Sequence, residues 1–379
     1  MTWLSNTKGR KPCLIASALL ALLGYIILAT AQNLAMLYIG RFLKSVATGT
    51  INIVNFVYIG EIASPKIRGI LLSIIGTMFT VGSVLIYATG PYISYHGTTY
   101  IGIALCILHL ILMSWIPESP IFYALQGKDK EIVKVLEDLG RSQDVDELLE
   151  MKKELAESNT KKEWLELFSV RSNRKALFVV VVINALQHGS GVMAVIFFSA
   201  AIFEMAGSPI DGNISMIIIG CCQLVGSTVT PFFIESTGRK KILIISSATC
   251  CLSMFVLGLY FYLDLIGNSV INYIMWLPLV ALIVFYVGYD FGLGSIPNTI
   301  IGEMFTTSVR AKGSTVAMTS SWLCGFMVTT AFGALLETVG GHILFWFFSG
   351  VCAFAVFFTI FFIPETKGKT LLEIQEALS

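Results

Sequence analysis

Residues 342–366 have the sequence HILFWFFSGVCAFAVFFTIFFIPET. The first 22 of them include no Asp, Glu, Lys or Arg, and a helix of that length crosses the roughly 30 Å hydrocarbon core of a bilayer. The run ends in Ile363-Pro364-Glu365-Thr366, and an earlier apolar segment ends in the similar Ile116-Pro117-Glu118-Ser119. The stretch therefore predicts a membrane-spanning helix, and its ending is the first sign of an internal repeat.

The composition of the whole chain agrees with this prediction. Of 379 residues, 55% are apolar and 13% are charged, and the mean hydropathy is +0.79. Soluble domains carry about 25% charged residues. This balance excludes a disulfide-rich secreted domain, a disordered chain and a basic nucleic-acid-binding protein. We therefore expect an all-α protein that crosses the membrane several times.

Ten apolar segments are long enough to span a bilayer. They lie at about 13–31, 35–59, 70–90, 98–116, 176–203, 213–234, 241–263, 271–301, 313–336 and 342–363. With a cytoplasmic N-terminus, the stretches on the cytoplasmic side hold every one of the 25 Lys and Arg residues except Arg41 and Lys44. The positive-inside rule therefore places both termini in the cytoplasm.

The spans divide the chain into four predicted parts. They are an incomplete N-terminal bundle of four spans over 1–116, a cytoplasmic helical linker over 117–175, a C-terminal bundle of six spans over 176–363, and a cytoplasmic tail over 364–379. Within the linker, residues 129–139 and 145–157 have helical periodicity.

Three motifs recur in the same order on either side of the linker. The pairs are Gly9-Arg10-Lys11 with Gly238-Arg239-Lys240, Gly60-Glu61 and Arg68 with Gly302-Glu303 and Arg310, and Pro117-Glu118 with Pro364-Glu365. Three motifs in register indicate a duplication, as in secondary transporters that bind substrate between their halves. Two spans precede the second Gly-Arg-Lys, but only Met1–Lys8 precede the first, so we expect ten spans of a twelve-span plan.

The charged residues of these motifs are expected to form two clusters at the cytoplasmic ends of the helices. Half-buried ions are costly unless they are paired. The first predicted cluster contains Arg10, Glu61, Arg68 and Glu118, and the second contains Glu235, Arg239, Glu303, Arg310 and Glu365. Such clusters either serve as conformational latches or only anchor the helix ends at the interface.

Several motifs resemble those of the sugar porter family of the major facilitator superfamily. They are Gly40-Arg41-Phe42-Leu43, Pro117-Glu118-Ser119-Pro120, Gln187 with Ser190-Gly191, Gly238-Arg239-Lys240, Gly292-Leu293-Gly294 with Ile296-Pro297, and Pro364-Glu365-Thr366-Lys367-Gly368-Lys369-Thr370-Leu371. Within this family the chain is most similar to the insect facilitated trehalose transporters. The resemblance implies the major facilitator fold, no cofactor, and charge clusters that latch the halves together and open during transport.

The resemblance also implies a sugar site. Substrate contacts are expected at Gln187, His188, Met193, Asn298, Ser321 and Trp322, and gating at Phe197, Phe198, Gly292, Gly294 and Pro297. Independently of the resemblance, Gln187, His188 and Ser190 interrupt an apolar span beside two glycines, and polar residues within the membrane are often functional. His188, Met193 and Asn298 stand where the family usually has Gln, Asn and Trp. The two phenylalanines could equally be packing residues.

Two further charges lie within predicted spans. Arg41 matches an arginine that pairs with an acid in proton-coupled family members, and Asp290 lies in the Gly-rich span 271–301. Either could take part in coupling, and a structural pair is the alternative for Asp290.

The leading functional hypothesis is a facilitative carrier for a neutral sugar such as glucose or trehalose, working by alternating access. The alternatives are a proton-coupled sugar symporter and a non-transporting isoform or sensor. We expect no enzyme activity and no metal, because no nucleophile–base pair or metal-ligand spacing stands out. The expected partners are a sugar and the lipid bilayer, without nucleic acid, and the expected location is the plasma membrane.

Overall fold

The computed structural model describes residues 7–141, 145, 160–207, 211–305, 309–367 and 373. Within these ranges the chain is helical, with short loops and no strand, which confirms the predicted all-α fold. The chain divides into two compact units, Met1–Ser158 and Asn159–Ser379. The division falls within the predicted linker.

Four long helices and two short ones form the described part of the N-terminal unit. They are α1 (Arg10–Ala29), α2 (Leu34–Ile62), α3 (Pro65–Thr89), α4 (Tyr95–Trp115), α5 (Pro120–Leu125) and α6 (Asp129–Asp138). Local sequence sets several of their starts. The side chain of Asn33 accepts a hydrogen bond from Met36 N at 2.9 Å, and Pro65 and Pro120 occupy first turns, where no backbone donor is needed.

The most extensive helix contact in the described part of this unit joins α1 and α2. Gly24 faces the backbone of Gly40, and a Cβ built on Gly24 would lie 3.0 Å from the Gly40 oxygen. Small residues let membrane helices approach this closely. Lys44, one turn after Gly40, holds its Nζ 4.9 Å from the ring centroid of Tyr25.

The described part of the predicted linker consists of short helices joined by turns. Residues 129–139 were expected to form a helix, and α6 spans Asp129–Asp138. Its Ile132 and Leu136 are buried against Ala124 of α5. The second predicted helix, 145–157, lies outside the described residues apart from Val145.

The described part of the C-terminal unit begins with a short helix and contains the remaining long ones. They are α7 (Thr160–Ser169), α8 (Arg171–Gly189), α9 (Val192–Met205), α10 (Gly212–Thr237), α11 (Arg239–Leu265), a 3-10 turn (Ser269–Tyr273), α12 (Leu277–Gly288), a π-helix (Tyr289–Leu293), α13 (Ile296–Met304), α14 (Arg310–Val339) and α15 (Gly341–Phe362). Helices α11 and α15 pack closely, as do α8 and α14. The core contains aromatic residues such as Phe285, Tyr286 and Phe345.

Eight of the described helical segments are long and apolar enough to cross a membrane. They are Arg10–Ala29, Leu34–Ile62, Tyr95–Trp115, Arg171–Met205, Arg239–Leu265, Leu277–Ile301, Lys312–Val339 and Gly341–Phe362. Two shorter apolar helices, Ile74–Thr89 and Gly212–Thr228, coincide with the other two predicted spans. Large apolar side chains are left exposed along these helices, for example Phe361 at 75%, as expected for a surface that faces lipid.

Candidate functional site

The span Arg171–Met205 is interrupted between α8 and α9. Gly191 has a φ of +88°, the left-handed conformation that favours glycine. A Cβ on Gly191 would also lie only 2.5 Å from the ring of Phe348. Both backbone conformation and space therefore require glycine at this break, which lies beside the polar residues that the sequence analysis selected.

Gln187 lies in the last turn of α8, next to this break, and is 5% exposed. Its Nε2 donates a hydrogen bond to the carbonyl oxygen of Gly294 at 2.8 Å. A buried amide needs such partners. Gly294 directly follows the irregular segment after α12, so the Gln187 side chain connects two helix breaks.

The second break follows α12, where the π-helix Tyr289–Leu293 replaces regular α-helix. Ser246 of α11 supports it, because its Oγ donates to Gly288 O at 2.6 Å and accepts from Leu293 N at 2.7 Å. A Cβ on Gly292 would lie 2.7 Å from the Cβ of Ser246. The Gly-rich sequence thus allows α11 to pack directly against the irregular backbone.

Asp290 lies within the π-helix and is partly buried. It is next to Gly226 of α10, where a built Cβ would lie 3.5 Å from the Cβ of Asp290. Single-turn π-helical segments often occur at functional sites. The predicted coupling residue therefore lies in the same irregular segment that binds Gln187.

His188 packs across the seam between α8 and α14. It is 7% exposed, and its ring centroid lies 5.4 Å from that of Trp322, with the planes inclined by 39°. Ser321 is buried and donates its hydroxyl to the carbonyl oxygen of Asn184 at 3.1 Å. The structure thus brings four of the predicted substrate residues together, namely Gln187, His188, Ser321 and Trp322.

Asn184 is a polar residue of this site that the sequence analysis missed. It is fully buried, and its Nδ2 donates to Val180 O at 2.9 Å. Its Oδ1 has no hydrogen-bond partner within the described part of the chain. The available signal was helical spacing, because Asn184 precedes Gln187 by three residues and His188 by four and so shares their face.

The other predicted site residues are more dispersed. Phe198 packs against Phe332 with ring centroids 5.1 Å apart, whereas Phe197 is 69% exposed. Met193 packs against the apolar core of the C-terminal unit. Asn298 is exposed, and its neighbour Pro297 lies in the first turn of α13.

The charge cluster of the C-terminal unit is built around the start of α11. The Glu365 carboxylate accepts from Arg239 N at 3.0 Å and from Lys240 N at 3.2 Å, so it caps the helix. The Arg239 guanidinium pairs with Glu303 at 3.1 Å. Gly238 has a φ of +99°, and a Cβ there would lie 2.9 Å from Glu365 Oε2.

The N-terminal unit repeats this arrangement at the start of α1. Glu118 accepts from Arg10 N at 3.0 Å and Lys11 N at 3.2 Å, and Arg10 pairs with Glu61 at 2.9 Å. Ser119 adds a hydrogen bond from its hydroxyl to Glu61. The repeated sequence motifs therefore form corresponding hydrogen bonds in the two units.

Three charges predicted for these clusters lie outside what the structure describes. The side chains of Arg68, Glu235 and Arg310 lie outside the described residues. Arg41, the other candidate for coupling, has an exposed side chain on α2.

The chain matches a protein family by its sequence. The sequence profile of the family described as "Sugar (and other) transporter" matches residues 1–378. The facilitated trehalose transporter Tret1 of Polypedilum vanderplanki is 34% identical over 375 residues, which cover 98% of this chain and 74% of the relative. Tret1 of Drosophila virilis is also 34% identical over 376 residues, but these cover 41% of that relative. The chain thus spans less than half the length of several matched relatives.

Solved structures show a similar fold at low sequence identity. The inward-open xylose transporter XylE from E. coli aligns with a TM-score of 0.80 at 22% identity and covers 100% of this chain and 84% of that one. The human organic anion transporter MFSD10 aligns with a TM-score of 0.55 at 14% identity, covering 94% and 78%. These likenesses show that the chain has the fold of these transporters.

Proposed function

This chain belongs to the sugar transporter family, and we propose that it is a facilitative carrier that moves a neutral sugar across a membrane by alternating access. The observation that supports the proposal is a cluster of uncharged polar side chains buried within membrane-spanning helices. The cluster consists of Asn184, Gln187, His188 and Ser321. Polar groups are costly there and are retained for function. Because matched relatives are named trehalose transporters, trehalose is the first substrate to test and glucose the second.

The chemistry of the group suits a sugar. Sugar hydroxyls form hydrogen bonds with uncharged amide and imidazole groups, and the apolar faces of sugar rings pack on aromatic side chains. Trp322 is 58% exposed and is held next to His188. The breaks at Gly191 and at Tyr289–Leu293 are proposed as the gates, because a helix interrupted at these points can bend there.

The proposal predicts that Gln187→Ala lowers trehalose or glucose uptake at least about tenfold, since the variant removes a buried hydrogen-bonding group at the site. Uptake is measured in proteoliposomes and in cells, with surface expression quantified in parallel. Gln223→Ala, which removes the same side chain from α10, is the matched control. Equal uptake by the Gln187 variant and the control would contradict the placement of the site.

A proton-coupled symporter is the second candidate function, and the position of Asp290 in the π-helix favours it. In the same uptake assay, a facilitative carrier shows no acceleration when external pH falls and no net accumulation. Acceleration that is lost in Asp290→Asn would establish coupling instead. Absence of uptake for every sugar tested would favour a non-transporting membrane protein.

We further infer that the protein resides in the plasma membrane with both termini in the cytoplasm. The distribution of Lys and Arg supports this orientation. Accessibility of epitope tags at the two ends, compared in intact and permeabilised cells, tests it.

A further inference from the structure

The seam between α8 and α14 contains a contact that the proposed site does not explain. Gly325 of α14 faces the imidazole of His188, and a Cβ built on Gly325 would lie 3.1 Å from Nδ1 and 3.4 Å from Cγ. A contact of 3.1 Å is tighter than a packed side chain normally makes. The backbone of α14 therefore closes on one edge of the ring, while Trp322 packs against the ring with its plane inclined by 39°.

This contact distinguishes the two ring nitrogens of His188. His188 is only 7% exposed. Its Nδ1 is enclosed and has no hydrogen-bond partner among the described residues. A neutral imidazole carries its proton on one nitrogen only. For backbone groups, enclosed N–H donors without a partner are rarer than enclosed acceptors without one. By the same reasoning we assign the proton to Nε2, so that the ring offers a donor at that atom.

We propose that Gly325 is a positioning residue that determines specificity. By leaving space for the ring, it holds His188 against Trp322 and makes Nε2–H a hydrogen-bond donor for a hydroxyl oxygen of the sugar. This inference rests on the proposed function. It assigns to His188 a donor role alone, whereas a glutamine at 188 would offer both a donor and an acceptor.

The first test is Gly325→Ala, whose Cβ displaces the ring. The concentration of sugar that gives half-maximal uptake is expected to rise about tenfold, the value of one hydrogen bond. Gly350→Ala in α15 is the matched control, because a Cβ at Gly350 meets nothing within 4 Å. In the His188→Gln background, adding Gly325→Ala is expected to raise the sugar concentration for half-maximal uptake by less than about threefold. The reason is that the flexible Gln side chain can move away from the new Cβ.

The second test separates the nitrogens. The amide nitrogen of Gln can reach the place of Nε2, whereas the shorter Asn reaches only the place of Nδ1. His188→Gln is therefore expected to keep the sugar concentration for half-maximal uptake within about threefold of that of the natural protein. His188→Asn is expected to raise this concentration about tenfold. The opposite order would overturn the donor assignment.

Thermal unfolding of the purified protein without sugar distinguishes this inference from the proposed function. Gly325→Ala is expected to lower the melting temperature more than Gly350→Ala, and His188→Ala should abolish that extra loss. If this coupling is found but the natural protein takes up no sugar, the carrier proposal fails and the positioning of His188 stands. If Gly325→Ala matches the control in both assays, or its loss persists without the imidazole, the inference is wrong.

Discussion

At the scale of single residues, each residue of the Gly-Arg-Lys motif has its own structural role. At the second copy, Gly238 adopts a positive φ and leaves space for the Glu365 carboxylate. Arg239 binds Glu303, and Lys240 donates from Nζ to the carbonyl oxygen of Ile360 at 2.8 Å. The motif is therefore a helix start held by an acid from a distant part of the chain.

This explanation predicts that Gly238→Ala destabilises the protein for two reasons, by strain in the backbone and by collision with Glu365. The expected loss in the free energy of unfolding is about 2–3 kcal/mol, measured by thermal or denaturant unfolding in detergent. Gly207→Ala is the control for backbone strain alone, because Gly207 has a φ of +59° and a Cβ there meets nothing within 4 Å. Equal losses in the two variants would show that the carboxylate contact is unimportant.

At the scale of elements, the irregular segment after α12 depends on a side chain from another helix. Ser246 satisfies the Gly288 carbonyl and the Leu293 amide, both within the π-helical region. Regular α-helix supplies such bonds internally, so a break inside the membrane needs an outside partner.

Ser246→Ala is accordingly expected to lower the free energy of unfolding by about 1–3 kcal/mol, because two buried backbone groups lose their partner. Unfolding is measured as above, and turnover in proteoliposomes shows whether the break also affects transport. Ser253→Ala is the matched control on the same helix, since within the described part of the chain the Ser253 hydroxyl binds the Thr249 carbonyl of its own helix and no other group. A loss no larger than that of the control would contradict the supporting role of Ser246.

The breaks themselves were largely predictable from sequence. Gly189 and Gly191 beside polar residues, and Gly292, Gly294 and Pro297 in an apolar span, mark positions where a helix is weak. The partners of those breaks were not predictable. That Gln187 donates to Gly294, or that Ser246 supports Leu293, depends on which helices are neighbours in space.

At the scale of the whole molecule, the duplication produced two similar clusters in unequal surroundings. The side chains of Arg10 and Glu61 are 4% and 11% exposed, against 19% and 24% for Arg239 and Glu303. In the N-terminal unit, Arg141 also binds the carbonyl oxygens of Glu61 and Ile62, each at 3.0 Å. The first cluster is therefore more enclosed than the second.

Because breaking an enclosed ion pair leaves a charge without compensation, Arg10→Ala is expected to cost about 3–5 kcal/mol of stability. Arg239→Ala is expected to cost about 1 kcal/mol, as for more exposed pairs. Unfolding is measured at low and high salt, with Lys8→Ala and Lys241→Ala as controls for loss of exposed charge. Equal costs would contradict the ranking by burial.

The same Arg239→Ala variant tests the latch hypothesis. If the C-terminal cluster is a latch, its loss changes the balance between inward-open and outward-open states. Cytoplasmic accessibility of introduced cysteines to a thiol reagent measures this balance. Unchanged accessibility would favour the alternative, that the cluster only anchors helix ends.

The membrane helices, the duplication and most of the polar residues within the spans can be recognised from the sequence alone. These properties depend on local hydropathy and on motifs that repeat along the chain, so they are visible without coordinates. Which of those residues meet depends on how the helices pack in three dimensions. This packing joins Gln187 to Gly294, places His188 between Trp322 and Gly325, adds Asn184 and leaves Phe197 exposed. Such contacts join residues more than a hundred positions apart, and helix packing alone determines them.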